Sequence, residues 1–124
     1  MIFVFGSNEA GIHGAGAART ALMQHGAVMG VGEGRRGNSY AIPTKDASFN
    51  TLELNRIKSY ISSFIDFAKR SIGFKFKVTQ IGCGLARIKP KDIAPLFKDA
   101  PDNCYFDTDW TKFLGKDRKY WGTF

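Results

Sequence analysis

The stretch Phe74-Lys75-Phe76-Lys77-Val78-Thr79-Gln80-Ile81-Gly82-Cys83-Gly84-Leu85-Ala86 carries two signals in succession. Phe74, Phe76 and Val78 alternate with Lys75, Lys77 and Thr79, the period-two pattern of a strand with one solvated face. The strand then runs straight into a glycine turn at Gly82-Cys83-Gly84. In a layered α/β sheet, ligands collect beyond the carboxyl ends of strands, so a small-residue turn at that place is a candidate binding loop.

Upstream the periodicity is different. Ile57, Tyr60, Ile61, Phe64, Phe67 and Ala68 recur at three- and four-residue spacing, predicting a helix from about Leu52 to Arg70 with one buried face. Asn50 and Thr51 are its candidate N-caps. Earlier still, the apolar run Ile2 to Phe5 ends in Gly6-Ser7-Asn8 and reads as a buried strand entering a loop. An alanine-rich segment through His25 reads as a helix, with Gly26 placed to terminate it. Gly30 to Gly37, with Arg35 and Arg36, reads as a flexible loop, and Ser39 to Pro43 as a short strand. Downstream, Pro90 suits the first position of a short helix over about Lys91–Lys98, which Pro95 makes irregular, and Asn103 to Asp107 reads as a last strand. Strands alternating with helices predict an α/β domain: a three-layer α/β/α arrangement with a mixed sheet and helices on both faces. The expected organisation is one domain over 1–107 and a basic, aromatic tail over 108–124 packed on it or extending from it.

Composition sets outer bounds. The 124 residues are enough for one core, and no apolar run is long enough to span a bilayer, so no membrane partner is expected. Met1 to Gly6 lacks the basic region and cleavage site of a signal peptide, which points to the cytoplasm. Two cysteines, Cys83 and Cys104, and two histidines build neither a disulfide framework nor a zinc site, and no cofactor is expected. The net charge of +7 is compatible with a phosphate-bearing ligand, with nucleic acid, or with a merely solvated basic surface.

A second small-residue turn, Gly14-Ala15-Gly16-Ala17, stands where a helix begins after the first strand. Small residues allow close backbone approach, and the unpaired N–H groups of a helix start face outward, so the two suit a phosphate. Tight helix–sheet packing explains the same residues. Neither nucleotide fingerprint is met: there is no Gly-Lys-Ser/Thr ending and no Gly-x-Gly-x-x-Gly in a strand–turn–helix context. With Asn8 and Lys45 at the ends of two other strands, the two turns converge on one cleft, and that convergence carries more than either turn alone.

The pair of turns resembles the macrodomain family, especially the branch of the terminal ADP-ribose protein glycohydrolase. That branch has a Met-Gly-Ala-Gly-Ile-Ala type first loop, an Ile-Thr-Lys element and an Arg-Ile-Gly-Cys-Gly-Leu second loop. Here these correspond to His13-Gly14-Ala15-Gly16-Ala17-Ala18, Ile42-Pro43-Thr44-Lys45 and Gln80-Ile81-Gly82-Cys83-Gly84-Leu85. The resemblance covers roughly residues 3 to 107. It implies ADP-ribose, or an ADP-ribose-derived nucleotide, with its pyrophosphate between the loop at 14–17 and the loop at 82–85. Asn8 resembles the asparagine that holds the distal ribose. Lys45 matches a catalytic lysine, but the branch's catalytic aspartate is replaced by Ala86, which can neither accept nor donate a proton. Hydrolysis of an ADP-ribosyl bond or of a terminal phosphate therefore stands as the alternative to binding, with Asp46 a candidate substitute carboxylate. The family's Gly-Asp element, which contacts adenine, is not among these residues, so adenine selectivity stays open.

Each candidate has a plainer reading. Lys45 is a nucleophile, a phosphate clamp or an exposed lysine. His13 is a general acid in the ligand loop or a polar loop residue. Cys83 is a thiolate at a helix terminus or a small packing residue. Arg35 and Arg36 form a lid or a solvated loop. The aromatics and cations of the tail, from Trp110 to Trp121, dock onto the core or stack single-stranded bases; docking is the simpler account, and a nucleic-acid partner is the lesser expectation.

Overall fold

The computed structural model describes all residues from Met1 to Phe124. Six strands form one mixed sheet: β1 (Ile2–Asn8), β2 (Gly34–Arg36), β3 (Ser39–Lys45), β4 (Phe76–Val78), β5 (Cys104–Asp107) and β6 (Lys119–Gly122). Their order across the sheet is β2-β3-β1-β4-β5-β6. All neighbouring pairs are parallel except β2 with β3. The helices are α1 (Gly16–Gln24), α2 (Leu54–Arg70), α3 (Pro90–Ile93) and α4 (Thr111–Leu114), with short 3-10 turns at Ala94–Phe97 and Thr108–Trp110.

The alternation along β1 builds the three layers. Ile2 and Val4 point into a large core with Tyr40, Ile42, Phe76, Val78 and Phe106. Onto that core α2 lays Ile57, Ile61, Phe64, Ile65 and Ala68, and Ile93 of α3 joins them. Phe3 and Phe5 point the opposite way, into a small cluster with Ala41 and with Ala21 of α1. One face of the sheet is thus thickly covered and the other thinly. Burying a large apolar side chain stabilises by roughly 1.5–3 kcal/mol, so the aromatic-rich α2 side holds most of the hydrophobic stabilisation. No helix is long and apolar enough to cross a membrane.

Helix termination follows local chemistry. α2 ends in Lys69 and Arg70, and the Asn103 amide donates to the carbonyls of Ala68 (3.0 Å) and Ser71 (3.1 Å), supplying partners for orphan C-terminal acceptors. At its start the residue in the cap position is Glu53, with no side-chain cap. Neither Asn50 nor Thr51 caps it: Thr51 instead donates to the carbonyl of Ala86 (3.0 Å), tying the loop after β3 to the second glycine turn. The proline-bearing segment behaves as its sequence predicts, with Pro90 in the first turn of α3 and the helix degrading to a 3-10 turn at Pro95.

One expectation about the chain's organisation changes. The stretch 30–37 is not a flexible loop. Gly34–Arg36 pairs antiparallel with β3, while Gly30 donates to the carbonyl of Gly11 (2.8 Å) and the Ser7 hydroxyl to that of Gly32. The segment is anchored because its glycines let it lie against the loop after β1. The stretch 108–124 is an integral part of the sheet domain. It supplies β6, and Trp110 is fully buried against Phe97 and Phe106. Lys77 flanks two core residues of β4, so it faces the α1 side, where no helix covers β4 to β6. Trp121 lies there instead, 4.2 Å from the Lys77 ammonium, donating from its indole to the carbonyl of Val78 (2.9 Å).

Candidate functional site

Position in the sheet generates the site. From β1 the chain passes through α1 toward β3 on one side, whereas from β4 it passes through α3 toward β5 on the other. The carboxyl ends of β1 and β4, adjacent but leading in opposite directions, leave a crevice between their loops. A cleft of about 620 Å³ occupies it, within the range of about 300–1,000 Å³ usual for small-molecule sites. The ends of β3 and β5 lie beyond, so Lys45 marks one end of the cleft and Asp107 the other.

One wall is the start of α1. Ala15 takes the cap position with an extended backbone (φ −153°) and no side chain to accept from the helix. Gly14, Ala15, Gly16, Ala17 and Ala18 donate their N–H groups to no protein acceptor. No acidic residue occupies the first turn, so the positive end of the helix is uncompensated. Gly16 has φ +57°, and a side chain there would be strained, so the tight entry into α1 depends on glycine. The opposite wall is Gly82-Cys83-Gly84-Leu85. Gly82 (φ +76°) packs so closely that an added Cβ would sit 2.8 Å from Ile93 and 2.9 Å from Ile88. The N–H groups of Gly84 and Leu85 also lack protein acceptors. Two sets of free amides thus border one cleft, the arrangement that holds an anion by backbone donors.

Of the residues singled out in the sequence, Lys45, Asn8, Gly14, Ala15, Gly16, Ala17, Gly82, Cys83, Gly84 and Leu85 all line this cleft. Lys45 makes no ion pair; the chain's one salt bridge joins Arg56 to Glu9. Asn8 lines the wall with its amide already engaged: it accepts from the Ile12 N–H (3.1 Å) and donates to the Ile12 carbonyl (2.8 Å). Its role is to close the loop that carries the first turn.

His13 is the exception. It is 1% exposed, lies behind the loop, meets Phe5 edge-on and places Nε2 3.0 Å from the Val31 carbonyl. The segment 28–32 folds over it, so it supports the loop from beneath and takes no place in the cleft. Burial pushes the Cys83 thiol up to about 11, so it stays protonated near neutrality and packs as a small apolar residue, with Sγ 3.6 Å from the Ile81 carbonyl. Arg35 and Arg36 form no lid. They lie on β2, alongside Tyr40 and Ser39 at the amino-terminal half of β3, and Arg35 stacks over Phe74 at 4.5 Å.

The carboxylates near the cleft are committed elsewhere. Asp46 turns its Oδ1 into its own loop, accepting from Ser48 (2.9 Å) and Asn50 (3.0 Å), and these bonds hold its pKa below the ordinary value. Asp107 is fully buried; it accepts from the Asp109 N–H (2.9 Å), the Thr123 hydroxyl (3.1 Å) and the Phe124 N–H (3.2 Å). Ala86, at the position of the expected aspartate, lines the cleft as a methyl group.

The cleft residues not singled out in the sequence include Gly6, Ser7, Ile12, Ala18, Thr44, Phe49, Thr79, Gln80, Asp107 and Phe124. Thr44 and Thr79 follow from the strand-end rule, since each ends or extends a parallel strand. No local signal marks Phe49 or Phe124, which reach the cleft through a loop conformation and through the path of the chain after β6. No family model, curated protein or solved structure matches the chain.

Proposed function

We propose that the chain binds ADP-ribose or an ADP-ribose-derived nucleotide, with the pyrophosphate between the start of α1 and the loop at 82–85. The observation that carries this reading is the facing of two sets of unpartnered backbone amides across a cleft at a point where the sheet's connections diverge. Lys45, free of any ion pair, adds a cation at one end of the same cleft. The resemblance of both loops and of the Lys45 element to the macrodomain family points to the same ligand.

Binding is favoured over hydrolysis because a hydrolase needs a group able to move a proton beside the scissile bond. Ala86 has none, Asp46 and Asp107 are bonded within the protein, and Cys83 stays protonated, which leaves Lys45 without a partner carboxylate. A nucleic-acid surface built from the tail is disfavoured too, because Trp110 is in the core and Trp121 is docked on Lys77.

Calorimetric titration with ADP-ribose, beside AMP and ribose 5-phosphate, tests the reading. ADP-ribose is expected to bind more tightly than either fragment, and Lys45→Ala to weaken it about tenfold, the range of one charge-assisted contact of about 1.5 kcal/mol, with an unchanged melting temperature. No heat with any of the three at millimolar concentration would remove the ligand class.

A further inference from the structure

Two non-glycine residues have left-handed backbone conformations, Phe49 at φ +66° and Arg87 at φ +58°. Both lie in loops that border the cleft. For a bulky side chain this conformation is an outlier, and such strain persists only where the surroundings over-determine it. Around Phe49 they do. The Asp46 carboxylate accepts from Ser48 and Asn50, the Phe49 N–H reaches the Asp46 carbonyl (3.0 Å), and the Asp46 N–H reaches the Asn50 carbonyl (2.8 Å). Leu52 then donates to the carbonyl of Thr44 (2.9 Å), closing the loop onto β3.

This effort does not serve the core. Phe49 belongs to neither buried cluster and is 49% exposed, yet it lines the cleft at the Lys45 end. The molecule thus fixes the backbone that presents an aromatic ring at the cleft, in a costly conformation, with much of the ring's surface left open. Backbone held in place beforehand loses little freedom when a ligand covers the ring it presents, and such pre-organisation raises affinity.

We propose that Phe49 is a stacking residue that determines which nucleotide the cleft accepts, covering a cyclic apolar face of the ligand on the Lys45 side of the phosphates. This rests on the nucleotide-binding reading above and adds a side-chain determinant to it. The face it covers is the C–H side of a pentose or the ring of a base, and different probes separate the two.

The experiment compares wild type with Phe49→Gly and Phe49→Tyr, titrating inorganic pyrophosphate, ribose 5-phosphate, AMP and ADP-ribose, with melting temperatures recorded alongside. Glycine accepts the left-handed conformation, so Phe49→Gly is expected to melt no lower than wild type. It should bind ADP-ribose about tenfold more weakly, as loss of one stacked ring does, while pyrophosphate binding is unchanged. Phe49→Tyr should stay within about threefold of wild type, since the ring face is retained. A parallel loss with ribose 5-phosphate assigns the pentose; a parallel loss with AMP assigns the base. Undiminished ADP-ribose binding in Phe49→Gly overturns the proposal, as does an equal loss for pyrophosphate, which would mean that the loop was disturbed rather than the ring. If wild type binds pyrophosphate but gains nothing from any ring-bearing ligand, the stacking role fails and the anion cradle stands. If it binds none of the four, the ligand reading fails and takes the stacking role with it.

Discussion

Glu9 shows how one side chain ties the cleft to the body of the fold. It follows Asn8 at the end of β1, and its carboxylate accepts from the Tyr60 hydroxyl and the Arg56 guanidinium (Nε at 3.0 Å) on α2. The Tyr60 bond first and the Arg56 bonds second hold its pKa below the ordinary value of 4.5. A carboxylate with a depressed folded pKa contributes stability in full above its unfolded value and loses it as pH falls through the folded one. Glu9→Gln is therefore expected to lower the unfolding free energy near neutral pH. The gap to wild type should close as pH falls below 4.5, as measured by urea denaturation across pH. Because the pair is well exposed on the arginine side, the neutral-pH effect should be small. Gln is isosteric with Glu but neutral, with an NH2 donor in place of one acceptor oxygen, so a gap that did not change with pH would assign the effect to the lost acceptor rather than to the charge. Nothing in the sequence pairs Glu9 with Tyr60, since they are brought together only by α2 crossing the sheet. His13 teaches the converse: beside a glycine turn it reads as a loop residue, and its burial follows from a segment that returns from residues 28–32.

At the scale of the element, α1 is the part most plainly shaped for something other than stability. A nine-residue helix with alanine in its cap position and no acid in its first turn leaves its N-terminus unsatisfied. Ala15 already has the extended backbone of a cap residue. Ala15→Asp should therefore stabilise the protein by about 1 kcal/mol, the usual worth of such a cap. It should also weaken ADP-ribose binding more than tenfold, because a carboxylate then occupies and repels the anion position. Thermal melting and calorimetry on the same preparation check both signs. Stabilisation without loss of binding would place the phosphates elsewhere. α2 and β4 were legible from periodicity, because a helix or strand with one buried face writes that face into the spacing of its apolar residues, whereas α1 showed in its alanines and β1 in its apolar run. What was illegible were the edges. Gly34–Arg36 became a strand because β3 offered an unpaired edge, and Thr51 left its expected capping role because the carbonyl of Ala86 lay within reach.

For the whole molecule, the sharpest difference between sequence and structure concerns 108–124. Its aromatics read as docking the segment onto the core, and Trp110 is among the largest fully buried side chains, but composition gave no sign that β6 completes the sheet. A chain ending at residue 107 is expected to lose cooperative unfolding. Trp110→Ala in the full chain should cost about 3–5 kcal/mol, as truncation of a core aromatic does. Circular dichroism during thermal melting distinguishes these outcomes from a stable 1–107 domain. The α/β class, the helices on two faces and the two glycine turns that wall the cleft were legible in the sequence, because periodicity and glycine turns act over short stretches of chain. Tertiary contacts alone settle that Lys119–Gly122 joins the sheet, that His13 lies beneath the loop, that the carboxylates near Lys45 are engaged within the protein, and that Phe49 lines the cleft. Each of these depends on contacts between segments far apart in the chain, whose burial and hydrogen-bond partners exist only once the sheet order β2-β3-β1-β4-β5-β6 has brought them together.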